Sequence, residues 1–268
     1  MKSYLDIPYV ERAGHTLSLD LFVPSDQPTQ GLMLFVHGGG FARGARQAAP
    51  SARLARRLTS MGVGLASVSY RLNTDDLDLP TRERRQVYAN RQRAKTCGIQ
   101  LKDKLMGPRF EAARQDVGAA LAFFRDGDSP VNFSAHPIGL IGISAGGMIG
   151  LSLAFPSDGL PTYEKPACVV ALGATLQHPW TLTQDAPRCL MIHSVKDFIV
   201  PPENCEVLKP YAKSAEAPLD IQMCSREGHN APAQALFSDD APNGTPYWTM
   251  LRNLMRDSDI FNPSLATA

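Results

Sequence analysis

No stretch of this 268-residue sequence approaches the roughly 20 consecutive apolar residues that a membrane-spanning helix needs. Charge of one sign is also missing. Lys and Arg number 27 against 26 Asp and Glu, and the net charge of +1 gives no global reason to expect nucleic acid or an anionic membrane as a partner. Cysteine is sparse: the five residues Cys97, Cys168, Cys189, Cys205 and Cys224 show no C-x-x-C spacing, and no zinc spacing, phosphate-binding loop or internal repeat is present. The amino terminus lacks the apolar core of a signal peptide, because Asp6 and Pro8 fall inside it. An odd cysteine count without a secretion signal favours a reducing compartment, so the expected location is the cytoplasm. Cys168, Cys189 and Cys224 lie in apolar runs and are expected to be buried free thiols.

What is present is ordinary for a globular enzyme-sized chain: 44% hydrophobic and 20% charged residues, enough for one α/β domain spanning 1–268. The chain is organised around Gly142-Ile143-Ser144-Ala145-Gly146-Gly147. Ile138, Leu140 and Ile141 before it read as a buried strand, and Met148 to Ala154 after it as a helix. A strand, a sharp turn and a helix with serine at the apex project the hydroxyl from the carboxyl edge of a sheet. The flanking glycines let the backbone turn without Cβ clashes, and the helix aims its free N–H groups back at the serine. The structural alternative is a glycine-rich helix entry with Ser144 as a simple cap.

The remaining chain supplies a frame for that turn. Tyr4–Val10 and Thr16–Val23 read as a hairpin about Ala13-Gly14, and Leu32–Val36 as a strand covered on both faces. That strand ends in His37-Gly38-Gly39-Gly40-Phe41, where consecutive glycines permit backbone N–H groups to face a cleft. Ala48–Met61 is expected as a helix, with Leu54, Leu58 and Met61 on one face, and Val63–Val68 as the next strand. Tyr70 and Arg71 follow at that strand's carboxyl edge, either lining a site or anchoring the next loop. Residues 74–110 break the alternation with nine basic against five acidic side chains, and the expected role is a small cap with some helix of its own. Phe110–Arg125 has helical apolar spacing, with Asp116 a candidate salt-bridge or loop brace. Strands are expected at Pro137–Ile143, Pro166–Leu172, Arg188–His193 and Leu219–Cys224, and helices at Glu203–Ala215 and Tyr247–Arg256. Asp257–Ala268 reads as a frayed tail.

Two further residues complete a reactive set. Asp197 lies in the loop after a late strand, ahead of Asp185 and Asp239 as the acid of a serine–histidine pair. His229, in the loop after the last strand, is the only histidine downstream of Asp197. Among the others, His37 belongs to the glycine turn, His193 to a strand end, and His136 and His178 precede prolines.

With His37-Gly38-Gly39-Gly40, Gly142-Ile143-Ser144-Ala145-Gly146-Gly147, Asp197 and His229 in this order, the sequence resembles the α/β-hydrolase carboxylesterases over nearly its whole length. The resemblance implies a mostly parallel sheet flanked by helices. It assigns Ser144 as nucleophile, His229 as base, Asp197 as its orienter, and Gly39, Gly40 and Ala145 as oxyanion donors. Phe41, Tyr70 and Arg71 are candidate substrate contacts. Relatives of hormone-sensitive lipase usually carry Asp where this chain has Ile143, an Asp-Pro-Leu-x-Asp string that is absent here, and a longer amino-terminal cap. The better match is the compact branch of bacterial acetyl and carbohydrate-ester deacylases, which includes the formamidases of tryptophan breakdown. The resemblance implies hydrolysis of carboxylic esters of small molecules, with no metal or organic cofactor. The mostly polar 74–110 and short 173–187 supply no long apolar lid, which adds the expectation of acetyl to butyryl acyl groups. An arylformamidase-like amide hydrolase and a catalytically silent binding protein on the same scaffold are the alternatives.

Overall fold

The computed structural model describes residues 1–12, 14–74 and 78–265. Ala13 of the expected hairpin turn, Asp75 and Asp76 of the basic segment, and residues 266–268 of the expected tail lie outside the described residues. Eight strands form one sheet: β1 (Lys2–Arg12), β2 (His15–Val23), β3 (Gly31–Val36), β4 (Val63–Val68), β5 (Ile138–Ile143), β6 (Cys168–Leu172), β7 (Arg188–Ser194) and β8 (Leu219–Cys224). Their order across the sheet is β1-β2-β4-β3-β5-β6-β7-β8. β1, β2 and β4 are antiparallel neighbours, and every pair from β4 through β8 is parallel.

The helices are α1 (Ala49–Thr59), α2 (Thr81–Thr96), α3 (Pro108–Arg125), α4 (Ala145–Ala154), α5 (Glu203–Ser214), α6 (Ala231–Ser238) and α7 (Tyr247–Arg256). No helix among the described residues is long and apolar enough to cross a membrane.

Strand periodicity divides the core in two. Leu32, Leu34 and Val36 of β3 point to the layer built with Ala113, Val117, Leu121 and Phe124 of α3, and with Met148 and Ile149 of α4. Met33 and Phe35 point the other way, against Leu54 and Leu58 of α1, Leu236 of α6, and Leu251 and Met255 of α7. β3, β4 and β5 therefore carry almost unbroken apolar runs, because helices cover both of their faces. This layering lines up the carboxyl ends of β3, β5, β7 and β8, from which the glycine turn, Ser144, Asp197 and His229 emerge.

The structure departs from the sequence expectations in two places. α6 begins two residues after His229, in a stretch where no element is expected from the sequence. Pro232 sits in its first turn, where proline's missing N–H breaks no intrahelical bond. The carboxy-terminal segment is not frayed as far as Phe261: Ile260 and Phe261 are buried in the second core layer, and a methyl on Gly31 would lie 2.7 Å from the Ile260 carbonyl. Apolar burial there outweighs the loss of chain entropy. Cys168, Cys189, Cys205 and Cys224 are buried free thiols, and burial pushes Cys168 and Cys205 up to about 12.

Candidate active site

Ser144 stands at the junction of β5 and α4 with φ 51° and ψ −114°, a backbone conformation that side chains other than glycine rarely adopt. Such a residue stores about 1–3 kcal/mol and persists only where its surroundings over-determine it. Here the Ser144 N–H donates to the Leu172 carbonyl at 2.8 Å, and the Met148 N–H donates to the Ser144 carbonyl at 2.9 Å. The turn is also too tight for side chains at its glycines. A methyl on Gly142 would lie 2.2 Å from the Gly146 carbonyl carbon, and one on Gly146 would lie 2.1 Å from the Val36 oxygen. The glycine spacing is therefore required by contact between β3, β5 and the first turn of α4.

Ser144, His229 and Asp197 are joined in a chain. Ser144 Oγ and His229 Nε2 are 2.8 Å apart, and His229 Nδ1–H donates to Asp197 Oδ2 at 2.7 Å. With Nδ1 holding the proton, Nε2 is the acceptor of the serine hydroxyl. Asp197 Oδ1 accepts the N–H groups of Ile199 at 2.8 Å and Val200 at 3.0 Å. Burial raises its pKa, but the hydrogen bonds from His229, Val200 and Ile199, with the attraction of His229, outweigh it and hold the carboxyl below its usual range. Asp239 instead pairs with Arg226 at the surface, at 2.7 Å.

The loops bearing the histidine and the acid are bound to each other. Gly228, at φ 106°, donates its N–H to the Lys196 carbonyl at 2.7 Å. Ser194 Oγ donates to the Arg226 carbonyl at 2.6 Å and accepts the Lys196 N–H at 3.1 Å. Nothing in the sequence singles out Ser194. A small hydroxyl at the end of a buried strand is the only signal, and it is shared by many structural serines.

The glycine turn after β3 is braced by aromatic stacking. The His37 ring stacks on Tyr70 at 4.3 Å, its Nδ1–H donates to the Gly38 carbonyl at 2.7 Å, and the Tyr70 hydroxyl donates to the His37 carbonyl at 3.0 Å. Burial lowers the His37 pKa and raises that of Tyr70, so both stay neutral near pH 7. Gly39 and Gly40 have φ of 121° and 62°, and the Gly39 carbonyl accepts the N–H groups of Ala42 and Arg43 at 3.2 and 3.3 Å. Among the described residues no acceptor takes the N–H of Gly39, Gly40 or Ala145.

The three candidate substrate contacts are engaged by the protein itself. Phe41 is fully buried against Tyr70 and Phe110. Arg71 is also buried and forks onto Asp116, with Nε 3.0 Å and Nη2 2.9 Å from Oδ1. These are the contacts of a loop anchor. From the basic segment it is Leu105, not an arginine, that reaches the glycine turn, 3.5 Å from where a Gly40 Cβ would be. Gln177 holds it there by donating to the Leu105 carbonyl at 2.8 Å. Arg91 and Lys95 are turned to Asp103, and Arg93 lies 4.3 Å over Trp180.

No protein-family model and no curated protein matches the sequence. Solved structures do. A truncated carbohydrate esterase from gut microbiota superposes with a TM-score of 0.66 at 17% identity, over 97% of this chain and 96% of its own. Esterase 2 of Thermogutta terrifontis, phosphoramylated by tabun, superposes with a TM-score of 0.67 at 14% identity, over 96% and 95%. The same esterase with propionate bound gives 0.65 at 12% identity, over 96% and 94%. The chain has the α/β-hydrolase fold. Within the α/β-hydrolase fold, ligand-facing residues gather at the carboxyl ends of the strands, and here that edge carries Ser144, Asp197 and His229.

Proposed function

We propose that the protein is a serine carboxylesterase that cleaves short-chain esters, acetyl to butyryl, through an acyl-enzyme on Ser144. The observation that carries this reading is the continuous Asp197–His229–Ser144 hydrogen-bond chain, at 2.7 and 2.8 Å. In the first half-reaction Ser144 Oγ attacks the ester carbonyl while His229 Nε2 takes its proton. Collapse of the tetrahedral intermediate breaks the carbonyl-to-alkoxy bond, and the imidazolium returns that proton to the leaving alcohol. Water repeats the sequence on the acyl-enzyme and releases the acid. Asp197 keeps the imidazole in the Nδ1–H tautomer and stabilises its transient charge. The free N–H groups of Gly39, Gly40 and Ala145 receive the developing oxyanion, each donor contributing about 3 kcal/mol to lowering the barrier.

Small substrates are favoured by two observations. Leu105, pinned by Gln177, closes on the glycine turn, and the loop after β6 holds only a short helical turn at Pro179–Thr181. A long acyl chain gains about 0.8 kcal/mol per buried CH₂ only where an apolar wall continues. The structural neighbour holding propionate supports a short acid, and the carbohydrate esterase supports a sugar as the alcohol portion. Residues 74–110 act as a small cap, with α2 lying over α3 through Val87 and Ala112. A panel of p-nitrophenyl esters of rising chain length, beside acetylated sugars and N-formylkynurenine, tests the assignment. The expected kcat/KM peaks at acetyl to butyryl and falls by octanoyl, whereas a preference for decanoyl overturns the short-acyl reading.

A further inference from the structure

A pocket of about 580 Å³ opens between α1 and α6. Its lining includes Ile143, the residue before Ser144, and Asn230, the residue after His229. The volume is that of a small-molecule site, and the wall combines an apolar part with a few polar groups. Ile143 and Phe237 supply the apolar part, and Arg53, Arg226, Asn230 and Gln234 the polar part.

The two arginines differ in what they have left to offer. Arg226 is engaged by Asp239. Arg53 lies over the Phe237 ring, its guanidinium carbon 4.1 Å from the centroid, and no carboxylate among the described residues pairs with it. Phe237 is itself stacked on Trp248 at 5.8 Å, with Arg57 over Trp248 at 4.8 Å. A guanidinium held against a ring face without an ion-pair partner retains its planar fork of N–H donors, which matches a carboxylate. Among the described residues the pocket lining carries two arginines, Arg53 and Arg226, and no acidic residue, and Arg57 adds a third positive charge one turn from Arg53.

We propose that this pocket is a subsite for a carboxylate carried on an apolar or aryl body, with Arg53 holding the carboxylate and Ile143 and Phe237 holding the body. The carboxylate can be the far end of an ester substrate or a free acid, and the experiment separates the two. The turnover arm rests on the esterase reading, whereas the binding arm does not.

In the binding arm, Ser144→Ala protein is titrated calorimetrically with 4-hydroxybenzoate and with its methyl ester. The acid is expected to bind at least tenfold more tightly, which Arg53→Gln reduces to near parity and Arg53→Lys partly restores. Arg57→Gln, which removes the same charge one turn away, should retain the preference. In the turnover arm, kcat/KM for 4-acetoxybenzoate is compared with that for methyl 4-acetoxybenzoate. Water cleaves either to acetate and the free phenol. A preference for the charged ester that disappears in Arg53→Gln assigns the subsite to substrate. Binding of the acid without that preference assigns it to a free carboxylate. Equal binding of acid and methyl ester, no binding of either at millimolar concentration, or an unchanged preference in Arg53→Gln overturns the proposal. Absence of turnover on every ester, with selective binding intact, counts against the esterase reading alone.

Discussion

Replacing Gly146 by alanine adds one methyl group to the inner face of α4, at the point where the helix touches the last carbonyl of β3. That methyl would lie 2.1 Å from the Val36 oxygen and 2.9 Å from the His37 oxygen, where ordinary contact begins at 3.4 Å. The first turn of α4 and the end of β3 must therefore part by about 1 Å, and both are backbone with no side chain to swing aside. Overpacking of this kind costs about 1–3 kcal/mol, against which the better helix propensity of alanine returns about 1 kcal/mol. The net loss corresponds to a Tm lower by a few degrees, at about 2–4 °C per kcal/mol for a chain near this size. Activity should suffer far more, because the same movement carries Ser144 and Ala145 away from Gly39 and Gly40. A misplacement of about 1 Å is worth roughly a hundredfold in rate. Gly150→Ala, one turn along α4, is the control. Its methyl meets Leu140 Cδ2 at 2.5 Å, the tip of a side chain that can rotate, and leaves the elbow where it is. Measuring Tm and kcat/KM for p-nitrophenyl acetate on both variants should give a similar small loss of stability and a hundredfold difference in activity. Full activity in Gly146→Ala, or an equal loss in Gly150→Ala, would refute the idea that this contact positions the serine.

Asp197→Asn should lower kcat by about a thousandfold or more, since the amide disrupts the Nδ1–H tautomer of His229, while Asp239→Asn should change it little because the Arg226–Asp239 pair is at the surface. Steady-state kinetics with p-nitrophenyl acetate decide this, and the reverse ranking moves the acid. Stability should fall as pH drops from 6.5 towards 4. Burial lowers the pKa values of His37 and His193 below 6.5 and that of His178 to about 4, so across this window the unfolded chain takes up protons that the folded chain refuses. His178 alone contributes about 3 kcal/mol of that loss, at about 1.4 kcal/mol per pKa unit, and the loss stops growing below its folded value. Urea denaturation at stepped pH should show the slope, reduced in His178→Gln. The lowered pKa of Asp197 acts in a separate window, stabilising the fold above the usual carboxylate range and losing that contribution only under stronger acid.

Much of this architecture is readable from residue patterns because local and global requirements coincide in them. The apolar run of β5 followed by Gly-x-Ser-x-Gly gives the elbow, since strand burial, glycine clearance and helix start fall in six consecutive residues. The order Ser144, Asp197, His229 follows from each residue lying in the turn or loop after a strand. What escaped the sequence is long-range. The contact of Gly146 with Val36 joins positions 110 residues apart, and the contact of Leu105 with the glycine turn depends on how residues 74–110 fold back. Tyr70 and Arg71 read equally well as site residues or anchors until His37 and Asp116 are seen opposite them. Ile260 and Phe261 look like a loose end because their burial depends on Gly31 and β3, more than two hundred residues earlier.

The central claim, that Ser144 is a nucleophile activated by His229, is tested most directly by reaction with a fluorophosphonate followed by intact-mass and peptide mapping. The account predicts one adduct per chain, on the peptide containing Ser144, formed quickly by the wild-type protein, slowly by His229→Ala and not at all by Ser144→Ala. A folded wild-type protein that stays unlabelled, or an adduct at another residue in folded Ser144→Ala, would contradict it.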